Sequence, residues 1–303
     1  MYKTNFMKKF TLFFIALQML VSAFAQENLY VCHKDGTYSE FSTSDVEKVR
    51  LESDGSPYTP DDGYYVPKPF SVNHVQKVYF SPGNLQYHPI KNEWRFAPSQ
   101  TGYIGQENSK TSPTYNGWID LFGFGTGDNP TNTHNWYDTY ENYVEWGDNK
   151  IGDYAPNTWR TPTNNEWDYL INDRENAENL IAVAQVDGVN GVILLPDDWK
   201  CPSDVNFKVG LNTYDTGYAD YQTISDADWK KLEHSGAVFL PAAGYRNGTE
   251  VKSVQTIARY WASYWHMTTT AGVLDGTARK VEMGLTAPYI GCSVRLVLSE
   301  FVE

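Results

Sequence analysis

Cysteine, positive charge and long apolar runs are scarce in this sequence. Its 303 residues include 3 Cys, and 24 Lys and Arg face 37 Asp and Glu, for a formal net charge of −13. A framework of several disulfides is therefore excluded. Nucleic acid is not expected as a partner, because binding to a phosphate backbone requires a basic surface. Beyond the N-terminus no apolar run approaches the ~20 residues that cross a bilayer, so we expect no transmembrane segment.

The N-terminus has the order of features that directs export. Three lysines (Lys3, Lys8 and Lys9) precede an apolar run from Phe10 to Val21, which ends in the small-residue string Ala23-Phe24-Ala25. This order is typical of a secretory signal peptide, which we predict over residues 1–25. We therefore expect the mature chain to be secreted, periplasmic or located at the cell surface.

The mature chain divides into three segments. Residues 26–51 predict a small β element, because an Asp35-Gly36 turn separates two alternating apolar runs. Residues 52–69 contain four prolines and no hydrophobic periodicity, which predicts a linker. Residues 70–303 form the main domain, and their many aromatic residues indicate a packed core.

The main domain is predicted to be α+β, with two helices and short antiparallel sheets. Thr163 and Glu166 have the spacing of a capping box ahead of one helix, and Ser225 caps the other. The candidate strands are short and bounded by turn residues. They are 77–80, 94–97, 191–195, 237–240, 258–263, 279–285 and 293–298.

Several strings in this domain resemble one superfamily. They include WRTPTNNEWDYL (159–170), GWIDLFGFGTG (117–127), GAVFLPAAGYRNG (236–248) and CSVRLV (292–297). The first resembles the R-x-P-T-x-x-E-W signature of the C-type-lectin-like and formylglycine-generating-enzyme superfamily. Together the strings resemble its secreted branch in Bacteroidetes, the Fibrobacter succinogenes major paralogous domain. The resemblance implies a C-type-lectin-like fold over residues 70–303.

The motif residues themselves are expected to build the scaffold. A Trp on the inner face of a capped helix buries a large apolar area, and Arg and Glu beside it suit a fold-fixing ion pair. We expect Arg295, in the last strand, to meet a buried carboxylate. The residues assigned to the scaffold are Trp159, Arg160, Glu166, Trp167, Trp261 and Arg295.

Catalysis is the less favoured interpretation. The formylglycine-generating enzymes hold copper with paired cysteines shortly before the terminal strand, yet Tyr260–Ile290 contains no cysteine. The related sulfoxide synthases hold iron with three histidines, and the histidines here are scattered, at positions 33, 74, 88, 134, 234 and 266. We therefore expect no enzyme, no cofactor and no catalytic metal. A divergent enzyme of the formylglycine-generating type stays as the least favoured alternative.

Two smaller expectations concern calcium and the thiols. Acidic loop residues could supply oxygen ligands to a structural calcium ion, and the candidates are Asp128, Asn129, Asp197, Asp198, Asp215 and Asp220. Cys201 and Cys292 both lie beside motif strands of an exported chain, so we predict that they form a disulfide and that Cys32 stays unpaired.

The favoured function is non-catalytic binding of a glycan or protein. Between the last predicted strands, residues 259–289 are rich in aromatic and hydroxyl side chains, which are typical of recognition surfaces. We predict loops there that display Tyr264, Trp265, His266 and Arg279. A competing surface is the 117–149 segment, with Trp118, Trp136 and Trp146. The alternative function is a structural or adhesin subunit of a surface assembly, in which the β element at 28–51 pairs with a partner strand.

Overall fold

The computed structural model describes residues 28–32, 38–42, 67–73, 75–133, 143–211, 221–266 and 269–301. Contacts divide the chain into two compact units, Met1–Thr59 and Pro60–Glu303. The predicted signal peptide and most of the predicted linker lie outside the described residues. In the part that is described, no helix is long and apolar enough to cross a membrane.

The first unit contains a two-stranded antiparallel hairpin. Strand β1 (Asn28–Cys32) pairs with β2 (Tyr38–Ser42), and Leu29 lies opposite Phe41. The two strands flank the predicted Asp35-Gly36 turn, so the β element expected at this position is present.

The second unit is α+β, with five small sheets and two short α-helices in its described part. The helices are α1 (Asn164–Asp168), which continues as a π-helical turn over Tyr169–Asp173, and α2 (Asp226–His234). The strands are β3 (Phe70–Ser71), β4 (Gln76–Phe80), β5 (Leu85–His88), β6 (Glu93–Phe96), β7 (Ile181–Val186), β8 (Val189–Leu194), β9 (Gln222–Ile224), β10 (Val238–Pro241), β11 (Tyr245–Asn247), β12 (Glu250–Lys252), β13 (Ala258–His266), β14 (Thr270–Gly276), β15 (Val281–Thr286) and β16 (Val297–Phe301).

The sheets are small and mostly antiparallel. The largest has the order β10-β8-β7-β9, with β7 and β9 parallel, and a second has the order β16-β4-β3. Val297 of β16 lies opposite Phe80 of β4, so the end of the unit pairs with its beginning. Strands β13, β14 and β15 form an antiparallel meander, while β5-β6 and β11-β12 are hairpins.

The predicted cap of α1 is confirmed. The Thr163 side chain accepts a hydrogen bond from the Glu166 N–H, and the Glu166 carboxylate accepts one from the Thr163 N–H at 2.7 Å. The Arg160 guanidinium donates to both oxygens of the same carboxylate. These bonds satisfy the free N–H groups at the helix start and fix the chain that enters it. Ser225 caps α2 as predicted, since its side chain accepts from the Asp228 N–H.

Three apolar clusters make up the core, and the motif tryptophans belong to them. Trp167 of α1 packs with Phe70 and Phe80 in the first cluster. Trp261 and Trp159 lie in the second cluster, and Trp229 of α2 lies in the third. Trp167 and Trp261 are fully buried, so the expectation that they build the scaffold agrees with their positions.

Arg295 is buried in a network of amide groups. Its guanidinium donates to Oε1 of Gln100 at 2.6 Å and to Oδ1 of Asn84 at 3.3 Å. A buried carboxyl group, that of Glu233, lies close enough to attract the charge of Arg295, whose hydrogen-bond partners given above are amides. Burial raises the pKa of Glu233, and a hydrogen bond with Gln100 and the attraction to Arg295 partly offset this rise.

One expectation about the fold is wrong. The 259–289 segment, predicted to carry display loops, is mostly the regular meander β13-β14-β15. Strand β14 was not predicted from the sequence, because Gly272 and Gly276 weaken its strand signal. Those glycines fit because a neighbouring side chain occupies the space that their own would need; a methyl group at Gly276 would lie 2.5 Å from the Val192 side chain.

Candidate functional site

The sheet β13-β14-β15 has two ends that differ in chemistry. At one end, His266 lies opposite Thr270 where β13 gives way to β14. At the other end, which we call the base, Gly276 pairs with both Ala258 and Val281 beside the turn between β14 and β15. The predicted ligand-binding residues are distributed between these two ends.

Tyr264 and His266 form a polar aromatic pair at the first end. The Tyr264 side chain is 39% exposed, and its hydroxyl lies 3.2 Å from Nδ1 of His266. Gly272 on β14 allows this arrangement, because a methyl group there would lie 2.9 Å from Oδ1 of Asn164 and 3.1 Å from Cβ of Tyr264. Leu285, opposite Gly272 on β15, is 50% exposed. The result is a partly exposed surface of aromatic, aliphatic and amide groups.

Trp265 packs against the second core cluster. Its ring centroid lies 5.6 Å from that of Phe124, and the residue is half-buried. Trp265 was expected to be displayed, and this is corrected by its packing on Phe124. The physical reason is the register: Trp265 pairs with Ala271, so it points to the same face as the buried Trp261, which pairs with Val273.

Tyr143 reaches the same place from a distant part of the chain. Its ring centroid lies 5.0 Å from that of Phe124, and its hydroxyl donates to Oε2 of Glu145 at 2.9 Å. The other Glu145 oxygen accepts from the Thr161 hydroxyl at 2.6 Å. Burial, together with the charge of Glu145, raises the pKa of Tyr143 far above its ordinary value, so the hydroxyl stays protonated. Gly125, at φ +64°, leaves room for the Tyr143 ring.

Trp265 and Tyr143, which come from the two segments that competed in the sequence, therefore meet at Phe124. We call the group Tyr143, Tyr264, Trp265 and His266 the aromatic end. Tyr143 and Trp265 pack on Phe124, whereas Tyr264 and His266 point to the opposite face of β13 from Trp265. Sequence reasoning missed Tyr143, although its place in the aromatic 117–149 segment was a usable signal.

The three tryptophans named for the competing surface are not part of the aromatic end as far as the structure describes them. Trp146 is fully buried. Trp118 lies on the β5-β6 hairpin side, with the Arg95 guanidinium 3.7 Å from its ring centroid and His88 edge-on at 5.2 Å. Trp136 lies outside the described residues.

Arg279 lies at the base and does not join the aromatic end. It is in the Thr277–Lys280 turn, where its N–H donates to the Thr277 hydroxyl at 3.3 Å. Gly272, beside Tyr264, and Gly276, next to the turn, are four residues apart on β14, which corresponds to about 13 Å. The predicted set of four ligand-binding residues is therefore split by the register of the sheet.

The base contains charged groups whose partners lie within the fold. The Arg259 guanidinium donates to both oxygens of Asp275, at 2.6 and 2.9 Å, and lies 4.9 Å from the ring centroid of Tyr245. Arg246 is fully buried and donates to the carbonyls of Leu121 and Gly248. Burial lowers the pKa of Arg246 to about 10. These groups tie segments of the fold together.

The predicted disulfide between Cys201 and Cys292 is not formed, since both thiols are free. Cys201 is exposed, and its Sγ lies 3.5 Å from the Val205 carbonyl. Cys292 is buried within the second core cluster, where its backbone pairs with Phe122. The two cysteines thus belong to different environments. Burial raises the pKa of the Cys292 thiol, which keeps it in the unreactive thiol form. The Cys32 side chain lies outside the described residues.

The residues proposed as calcium ligands either serve the fold, are exposed, or lie outside the described residues. Asp197 accepts from the Ser71 N–H at 2.9 Å and from Arg174 at 3.4 Å, so it serves the fold. Asp128, Asn129 and Asp198 are exposed, while Asp215 and Asp220 are not described. Among the residues that the structure describes, no group of three or more His, Cys, Asp or Glu side chains could hold a metal ion.

The aromatic end can contribute ring surfaces together with hydrogen-bonding groups. Tyr264 and His266 present a hydroxyl and an imidazole side by side, and Asn164 adds an amide. This is the chemistry of recognition, in which rings provide contact area and polar groups fix orientation. Comparison of the chain with known protein families, curated proteins and solved structures finds no match.

Proposed function

We propose that this chain is an exported, non-catalytic binding protein whose aromatic end contacts a glycan or protein ligand. The observation that carries the proposal is the partly exposed Tyr264–His266 pair at the end of β13, where the intervening Trp265 is anchored on Phe124 and Tyr143 packs on the same ring. Exposed large apolar groups beside hydrogen-bonding groups mark interaction sites more often than scattered single residues do.

The proposed surface is organised before any ligand arrives. Trp265 anchors one side on Phe124, and the Tyr143 hydroxyl is held by Glu145. The Tyr264 hydroxyl is held close to His266. Rigid aromatic side chains lose little conformational entropy when they are covered, so a preformed surface binds at a lower entropic cost.

The charged groups described above are held by partners within the fold. Arg259 is paired with Asp275, and Glu145 accepts bonds from Tyr143 and Thr161. The Cys292 thiol is buried and protonated. Nucleophilic catalysis needs an activated nucleophile next to a base, and these groups do not supply that pair. The divergent-enzyme alternative is accordingly less favoured.

We also propose that the second unit has the C-type-lectin-like fold that the motif strings imply. Two features support it: the short antiparallel sheets with only two α-helices, and the R-x-P-T-x-x-E-W string, whose Arg160 and Glu166 pair at the start of α1. The localisation, secreted, periplasmic or at the cell surface, rests on the sequence of residues 1–25.

Arrays of glycans and of extracellular proteins, probed with the full exported chain, test the proposed function. We expect a ligand to be bound equally well with and without a chelator. The double variant Tyr264→Ala/His266→Ala should weaken binding by about tenfold or more, which is about 1.4 kcal/mol. Arg279→Ala is the matched control, because it removes an exposed polar side chain at the base. Full binding by the double variant would overturn the assignment of the site.

The structural or adhesin alternative rests on the hairpin of the first unit. A lone two-stranded hairpin is marginally stable, so β1 and β2 would gain from pairing with a partner strand. Deletion of residues 26–57 separates the two functions. Ligand binding at the aromatic end should survive the deletion, whereas assembly by strand pairing should be lost.

A further inference from the structure

A second exposed aromatic residue, Tyr154, lies on a turn with a fixed backbone. The N–H and carbonyl groups of Ile151 and Tyr154 bond to each other, at 2.9 and 3.2 Å. The Gly152 N–H donates to the Trp94 carbonyl at 2.8 Å, and the Asn157 N–H donates to the Gly147 carbonyl at 2.7 Å. The turn is therefore anchored to β6 and to the Trp146–Asp148 turn.

The ring of Tyr154 is supported from below by two other rings. Its centroid lies 5.2 Å from that of Trp159, with the planes at 89°, and 5.9 Å from that of Phe96. Phe96 and Trp159 are themselves 5.1 Å apart and nearly perpendicular. Edge-to-face packing of this kind fixes ring orientation. Tyr154 nevertheless stays 43% exposed, so it presents ring surface to solvent.

Polar residues lie beside Tyr154 in the same turn. The side chains of Asp153, Tyr154 and Asn157 make no hydrogen bond within the described part of the chain, and all three residues are exposed. In Trp159, whose ring contacts that of Tyr154, Nε1 is buried and has no hydrogen-bond acceptor among the described residues.

We propose that Tyr154, supported by Phe96 and Trp159, is a second binding site and that it takes a pyranose ring of a neutral oligosaccharide. A pyranose has an apolar C–H face, which suits the exposed ring, and hydroxyl edges, which suit the Asp153 carboxylate and the Asn157 amide. A single ring with polar neighbours is smaller than the apolar centre of a protein interface, which favours a sugar over a protein as the ligand. This site is separate from the aromatic end and does not depend on the function proposed for it.

Isothermal titration calorimetry of the full exported chain with cellohexaose, xylohexaose, mannohexaose and chitohexaose tests the proposal. We expect at least one of these to bind, and Tyr154→Ala to weaken that binding by about tenfold. Tyr154→Phe keeps the ring and should stay within about threefold of the unchanged chain. Tyr264→Ala, which alters the aromatic end, should leave this binding unchanged.

The proposal is overturned if none of the four oligosaccharides binds, or if Tyr154→Ala binds as the unchanged chain does. Loss of binding in Tyr264→Ala with retention in Tyr154→Ala would assign the sugar to the aromatic end and overturn the second site alone. Should Tyr154→Ala lower the melting temperature markedly, the double variant Asp153→Ala/Asn157→Gly serves in its place, because Gly tolerates the φ of +64° at Asn157. Both of its residues are exposed, and it should show the same loss.

Discussion

Both ends of the sheet β13-β14-β15 carry polar side chains that bond to each other, but they differ in how far the fold covers those side chains. At the base, Arg259 and Asp275 hold each other and Arg246 is buried against carbonyl groups. At the aromatic end, Tyr264 and His266 bond to each other and remain partly exposed. Hydrogen bonding between side chains therefore does not separate scaffold from surface, whereas burial by the segments that pack against each end does.

The largest effect is expected from Trp167→Ala, beneath the sheet. Trp167 is fully buried, and its ring centroid lies 5.5 Å from that of Phe80. Its Nε1 donates a hydrogen bond to the Trp261 carbonyl at 3.3 Å. Its loss should lower the free energy of unfolding by about 3–5 kcal/mol, through lost burial and the cavity left behind. Denaturant unfolding measures this. A smaller loss than for Trp265→Ala would contradict the division between core and surface.

Asp275→Ala tests whether the charges at the base serve the fold. The substitution leaves the guanidinium of Arg259, which is largely buried, without its carboxylate. We expect a loss of about 2 kcal/mol, below the cost for a fully buried pair because both groups retain some exposure. Glu282→Ala, which breaks the exposed ion pair with Lys280, is the control and should cost under about 0.5 kcal/mol. Equal losses of stability in the two variants would mean that the Arg259–Asp275 pair stabilises the fold no more than an exposed ion pair does.

Asp120 gives the second unit a pH dependence. This carboxyl is fully buried and accepts from the Ile104 N–H and the Asn108 amide, and burial raises its pKa to about 6. The folded state therefore binds the proton more tightly than the unfolded state, so this group's contribution to stability falls as pH rises from about 4 to about 6 and is constant above. A shift of this size corresponds to about 2–3 kcal/mol.

The variant Asp120→Asn removes that titration. Between pH 4 and pH 7 the unchanged chain should lose about 2–3 kcal/mol of unfolding free energy relative to this variant. Urea unfolding at several pH values measures it. A difference that stays constant across this range would show that Asp120 does not titrate there.

Trp265→Ala should have an intermediate effect. Because the side chain is half-buried on Phe124, we expect a loss of about 1–2 kcal/mol, smaller than for the fully buried Trp167. Thermal melts compare the two. A loss of stability near zero would indicate that Trp265 is exposed, as the sequence predicted. It would also mean that packing on Phe124 does not support the aromatic end.

Local features of the fold could be predicted from the sequence, and the site could be predicted only in part. The capping box at Thr163 and Glu166 depends on residues three apart, so spacing alone identified it. The same holds for Ser225 and Asp228 at α2. Glycine-containing β14 was missed because its stability comes from its two neighbouring strands rather than from its own residues.

The division of the predicted site follows from that missed strand. Without β14 between them, Tyr264 and Arg279 looked like members of one loop region, whereas the register places them at opposite ends of the sheet. Tyr143 joins Trp265 through Phe124, a contact between residues far apart in sequence. No local pattern identifies such a contact.

The central claim is that the aromatic end binds the ligand and the base serves as scaffold. The most direct test compares ligand affinity and melting temperature for Tyr264→Ala/His266→Ala and Asp275→Ala, using one ligand identified on the arrays. The account predicts that the first variant loses about tenfold or more in affinity with a nearly unchanged melting temperature. It predicts that the second variant melts earlier and binds normally while folded. Full affinity in the first variant, or loss of affinity in the folded second variant, would contradict the account.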